Sequence, residues 1–242
     1  MILYDPTSGN AVTTPTVVRP RTCFLMSKMG EDAPPVVSQI RARLSSLLAE
    51  ADFGLIDAST VTTGKDFLRK IWDLLVSVPI GIAVVNRDMP PSTLGNIFYE
   101  LGMMQALGKD TLVIKEPGAT IPSDFVRTEY VLYDERFDER IRAFLKSVLE
   151  GAEYLALVAE QVDRNPLLSI DCYRRAFLLT GDEEYCRRAD ALLASGEIGE
   201  RAKNSVEFLA AGFRDVSRKP PSKDLVREVA VTRISPETRK KP

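Results

Sequence analysis

Glu100 is the carboxylate of this sequence best placed to do chemistry. In the segment GNIFYELGMMQALGKDTLVI (Gly95 to Ile114), with Leu94 just before it, Leu94, Ile97, Leu101 and Met104 recur at helical spacing and define one apolar face. Glu100 falls at the edge of that face rather than opposite it, so burial holds its carboxylate partly dry. With a helix start near Leu94 it sits about a turn and a half into the helix, where it can meet a bound ribose. The alternative for the same residue is a face-boundary glutamate salt-bridged to Arg69 or Lys109. The chain contains no histidine at all. That removes Ser-His and Cys-His nucleophile pairs and imidazole metal ligands together, so chemistry must rest on carboxylates, hydroxyls or lysines.

Other polar residues could complete such a site. Ser27, Lys28 and Gly30 form a short loop after an apolar run, where backbone N–H groups and a helix N-terminus can anchor a phosphate; a plain strand-to-helix loop would look the same. Asp57 lies near the end of another apolar run, among hydroxyls, and reads either as a second acid or as the cap of the DAST turn. Asn96 and Tyr99 flank Glu100; Phe98 and Tyr99 can stack on a base or pack in the core. Cys23, Cys172 and Cys186 are an odd number without metal-site spacing, and Cys23 sits in an apolar run as a small core residue.

The elements that must position these residues alternate. TCFLMS (Thr22 to Ser27), FGLIDAS (Phe53 to Ser59), IGIAVVN (Ile80 to Asn86), DTLVIKE (Asp110 to Glu116) and EYVLYD (Glu129 to Asp134) are short apolar runs of strand type. Amphipathic stretches separate most of them, including Val36 to Leu48, Phe67 to Leu75 and about Leu94 to Leu107, the last closed by Gly108. Such alternation implies right-handed crossovers and a parallel sheet with helices on both faces, an α/β fold of flavodoxin-like order 2-1-3-4-5. Ligands of such sheets bind beyond the carboxyl ends of the strands. The loops starting at Ser27, Asp57, Asn86 and Glu116 are therefore the candidate walls.

Domain organisation follows the same reading. Residues 1–20 are a mobile lead-in, 21–150 the α/β domain, 151–216 a helical region and 217–242 a tail. The helical region contains a hairpin in which Gly181 stops one helix and Asp182 caps the next, followed by a third helix through Phe213. A lone hairpin of this kind suits self-assembly or docking of a partner protein. The tail carries eight Lys/Arg against three Asp/Glu, a surplus of five, and reads as solvated rather than as a nucleic-acid-binding arm. A net charge of −2 gives the whole molecule no footprint for nucleic acid. Without a long apolar stretch or a basic, apolar start, the expected location is the cytoplasm, away from the membrane.

NIFYELG followed by Ala-Leu-Gly-Lys and an apolar strand resembles the N-V-F-Y-E-L-G-x-x-x-A-L-G-K signature of the TIR-like (Toll/interleukin-receptor-like) nucleotide-binding proteins of bacteria. IPSDF (Ile121 to Phe125) is similar to a stretch after their fourth strand, and the resemblance covers about Thr22 to Asp134. Nucleoside 2-deoxyribosyltransferases carry a similar F-E-L-G element. In both families the motif glutamate, which maps to Glu100, works on the bond between ribose C1′ and a base. The resemblance implies an NAD-consuming glycohydrolase, with NAD as substrate and no cofactor required, serving as an effector or signal generator in bacterial antiphage defence. Before the helix many TIR-like members have Arg-Asn-Pro-Asn, whereas this chain has Met-Pro-Pro-Ser-Thr-Leu-Gly-Asn, with only Asn96 in common. The alternatives are a nucleotide-binding sensor or adaptor without chemistry and a deoxyribosyltransferase.

Overall fold

A computed structural model describes residues 9–10, 17–28, 30, 33–59, 67–122, 130–162 and 164–194. The five apolar runs form β1 (Thr22–Met26), β2 (Gly54–Ile56), β3 (Ile80–Val85), β4 (Asp110–Lys115) and β5 (Tyr130–Leu132). They pair side by side, all parallel, in the order β2-β1-β3-β4-β5. Between and after them run α1 (Pro35–Glu50), α2 (Phe67–Ser77), α3 (Pro91–Ala106), α4 (Phe137–Gln161), α5 (Pro166–Thr180) and α6 (Glu183–Ala194).

Strand periodicity sorts the core into two layers. Ile80, Ile82 and Val84 of β3, Cys23 and Leu25 of β1, and Leu112 and Ile114 of β4 face the layer shared with α1 and α4. Phe24, Met26, Ala83, Val85 and Val113 face the opposite layer, where α2 and α3 supply Leu75, Ile97, Leu101 and Met104. Every β3 residue is buried, as expected of a central strand covered on both faces. Gly81 lets α3 come close, since a Cβ there would lie 2.3 Å from Met104 Sδ. Cys23 is fully buried, and desolvation pushes its thiol far above the usual range, so it serves packing and not nucleophilic attack.

Two sequence expectations change. Order begins before Thr22: Val18 is fully buried against Phe177 and Leu178, and the Arg19 N–H donates to the Ser77 carbonyl (2.8 Å). Two adjacent valines, Val17 and Val18, in a Pro- and Thr-containing stretch carry no periodicity, so this strap is invisible to pattern reading. Arg21 fixes it in place. Its backbone N–H donates to the Leu178 carbonyl, and its guanidinium donates to the carbonyls of Asp52 (2.7 Å), Thr180 (3.3 Å) and Ala51 while lying over the Phe53 ring. The accompanying pair with the exposed Asp52 carboxylate adds little. Arg21→Ala is expected to lower the unfolding free energy by about 2 kcal/mol, measured by urea denaturation.

The position expected for a domain boundary, near residue 150, lies in the middle of α4. The first half of α4 buries Ile141, Leu145 and Val148 in the sheet core, and its last turn packs Ala159 with Ile170 and Tyr173 of α5. Ala176 and Leu179 of α5 join the same core as β3. The hairpin itself follows the sequence: Gly181 adopts φ 71° and ends α5, and the Asp182 carboxylate accepts from the Glu184 N–H (2.9 Å) to cap α6. The TVTTG segment, IPSDF beyond Pro122, the expected helix through Phe213 and the basic tail lie outside the described residues. Among the described residues no helix is long and apolar enough to cross a membrane.

Candidate functional site

Because all five strands run parallel, Ser27, Asp57, Asn86 and Glu116 emerge at one edge of the sheet, where α/β folds bind ligands. Helix α3 starts at that edge. It begins at Pro91, three residues before the expected Leu94, because proline is well suited to the first helical position: its fixed φ fits and its missing N–H would have no partner there. Glu100 is consequently about two and a half turns, roughly 13 Å, from the helix start, rather than a turn and a half.

Glu100 is half-buried, flanked in sequence by exposed Tyr99 and buried Leu101. Neither cation expected as its partner takes that role. Arg69 pairs with Asp73, one turn along α2 (3.1 Å). Lys109 donates to the carbonyls of Val76 (2.8 Å) and Val78 (2.5 Å), closing off the carboxyl end of α2. No described residue forms an ion pair or hydrogen bond with the Glu100 carboxylate, and desolvation raises its pKa from 4.5 to about 7. A carboxylate poised at neutral pH without a structural partner is the kind of group that catalytic sites contain.

The other candidates divide. Asn96 is exposed and one turn from Glu100 on the same side of α3. Tyr99 is exposed, at 59%, and available for stacking, whereas Phe98 is buried in the α2–α3 layer. Around Tyr99, a Cβ on Gly95 or Gly102 would meet nothing within 4 Å. Gly95→Ala should therefore stabilise the fold by about 0.5–1 kcal/mol through helix propensity, read as a rise in thermal midpoint.

Ser27 and Lys28 are half-buried beyond β1, and exposed Gly30 has φ +99°, with its carbonyl accepting from the Ala33 N–H at the approach to α1. Asp57 is different. It is fully buried, accepts from the Ser59 N–H (2.8 Å) and hydroxyl (2.5 Å), and forms an ion pair with Arg41 of α1. These are the contacts of a turn cap, the second of the two roles read from the sequence.

No protein-family model matches this chain, and no curated protein matches it.

Two residues escaped the sequence reading. Asn86, at the end of β3, is buried and its Oδ1 has no hydrogen-bond partner among the described residues. An acceptor buried without a partner costs free energy in the empty protein and gains from a ligand donor. Across the same rim, the Glu116 carboxylate accepts from the Arg87 N–H (2.8 Å), and the Arg87 guanidinium donates to the Pro117 carbonyl (2.7 Å). This ties the loops after β3 and β4 together. Asn86 had one visible signal, an asparagine ending an otherwise apolar strand; the Arg87 clamp had none.

Proposed function

We propose that the chain is an NAD-consuming glycohydrolase of TIR-like type, with Glu100 working on the ribose C1′ next to nicotinamide. The observation that carries this reading is the state of Glu100: half-buried, unpaired among the described residues, and with its pKa raised to about 7. The leaving group suits such a site. Nicotinamide departs from NAD as a neutral molecule, so its ring nitrogen needs no proton, and one carboxylate near an oxocarbenium-like sugar stabilises the developing charge. Purine nucleosides gain from a protonated leaving base, which calls for a second acid. Asp57, held by Ser59 and Arg41, is not free to supply one, and this weighs against the deoxyribosyltransferase reading. Asn96 and Tyr99 are the groups proposed to contact ribose and base, and Ser27, Lys28 and Gly30 to meet phosphate. The resemblance of NIFYELG and ALGK to the TIR-like signature points the same way and suggests an effector or signal-generating role in bacterial defence, with α5 and α6 serving assembly or docking.

The test is release of nicotinamide from NAD by the full chain, followed by chromatography. Because the active form is the carboxylate, kcat/KM should rise with pH through about 7 and flatten above it. The engagement of Asp57 also favours a second reading, a nucleotide-binding sensor without chemistry, which predicts saturable NAD binding and no free nicotinamide.

A further inference from the structure

At the edge of the sheet opposite the crevice, a cavity of about 320 Å³ opens where the α3–β4 turn meets α5. Its volume is at the lower end of the range that accommodates compact organic ligands, roughly 300–1,000 Å³. Leu155, Leu178 and Leu179 give it an apolar wall. Lys109, Arg174 and Arg175 bring three cationic side chains to it, against the two carboxylates of Asp110 and Asp171.

The cations have different duties. Arg175 donates to the Gly108 carbonyl and Lys109 to the carbonyls of Val76 and Val78, so both join the α/β core to its surroundings while keeping further N–H donors. Arg174 has no such duty. It makes no hydrogen bond or ion pair with a described residue, although it is half-buried, its pKa is lowered by burial, and the Asp171 carboxylate is nearby. An arginine in a concave, partly apolar site with its fork unoccupied lacks the partner that would offset its desolvation, and a bidentate oxyanion is the partner its geometry fits. Lys109 is pushed well below its usual range by burial and by the charges of Arg174 and Arg175, so an added negative charge would relieve all three.

We propose that this cavity is a second ligand site, taking a phosphate-bearing molecule of mononucleotide size with its phosphate on Arg174 and its flat body against Leu155, Leu178 and Leu179. The site does not rest on the NAD-cleaving reading, since none of its lining residues belongs to the crevice edge. A ligand there would bridge the α3–β4 turn and α5, and so strengthen the attachment of the hairpin.

Isothermal titration of the full chain with AMP, with adenosine as the phosphate-free control, tests the proposal. AMP should bind saturably and adenosine far more weakly. Arg174→Gln should weaken AMP binding roughly ten- to a hundredfold, as loss of a charged hydrogen-bonding group does. Asp171→Asn, which removes a competing carboxylate, should tighten it and supplies a second reading should Arg174→Gln disturb folding. Absence of AMP binding, equal affinity for adenosine, or an affinity that neither substitution moves would overturn it.

Discussion

Glu100→Gln is expected to reduce NAD cleavage by about a thousandfold while leaving NAD affinity nearly unchanged. Glutamine keeps the shape of the side chain and removes its charge, so only the interaction with a positively charged, oxocarbenium-like sugar is lost. Removal of one preorganised electrostatic group from a water-poor site costs roughly two to three orders of magnitude in kcat. The upper end applies here because Asp57, committed to Arg41 and Ser59, cannot stand in. A loss confined to KM would indicate ground-state binding instead. Rates of nicotinamide release in both proteins, with NAD binding measured separately, divide the two cases.

The same substitution should make the protein more stable at alkaline pH. The folded-state pKa of Glu100 is raised from 4.5 to about 7, so the native state holds the proton more tightly than the unfolded chain. The sign follows. The contribution of this group to stability is fully present below about pH 4.5 and is lost as pH rises through about 7. The gap between those values corresponds to roughly 3 kcal/mol, a large share of a typical domain's stability. Glutamine carries no such penalty. Urea denaturation at about pH 5 and about pH 8.5 should show the variant gaining on the wild type by up to about 3 kcal/mol between the two. Parallel pH profiles for the two proteins would mean that the carboxylate is solvated. The two expectations together describe a trade-off between the cost of this charge to the fold and its role in the proposed reaction.

The sheet was legible because each strand is an apolar run of the right length and each crossover helix has a clear apolar stripe. Ile80–Val85 is buried throughout, and the spacing of Ile97, Leu101 and Met104 identifies the packed side of α3. The start of α3 was misread because Pro90 and Pro91 look like loop residues, whereas Pro91 begins the helix. What stayed hidden depends on residues far apart in sequence. Arg41 looks like a solvent-facing residue of α1 until it meets Asp57. Lys109 belongs to a recognisable Ala-Leu-Gly-Lys turn, but its work on the carbonyls of α2 exists only after folding. The Val18 strap and the Arg174 cavity arise from the docking of α5, which no local pattern announces.

Carboxyl-carbon NMR of the full chain, with the Glu100 signal assigned by its loss in Glu100→Gln, would measure directly the ionisation on which the account turns. The prediction is a titration midpoint near 7. A midpoint near the ordinary glutamate value of 4.5 would contradict it.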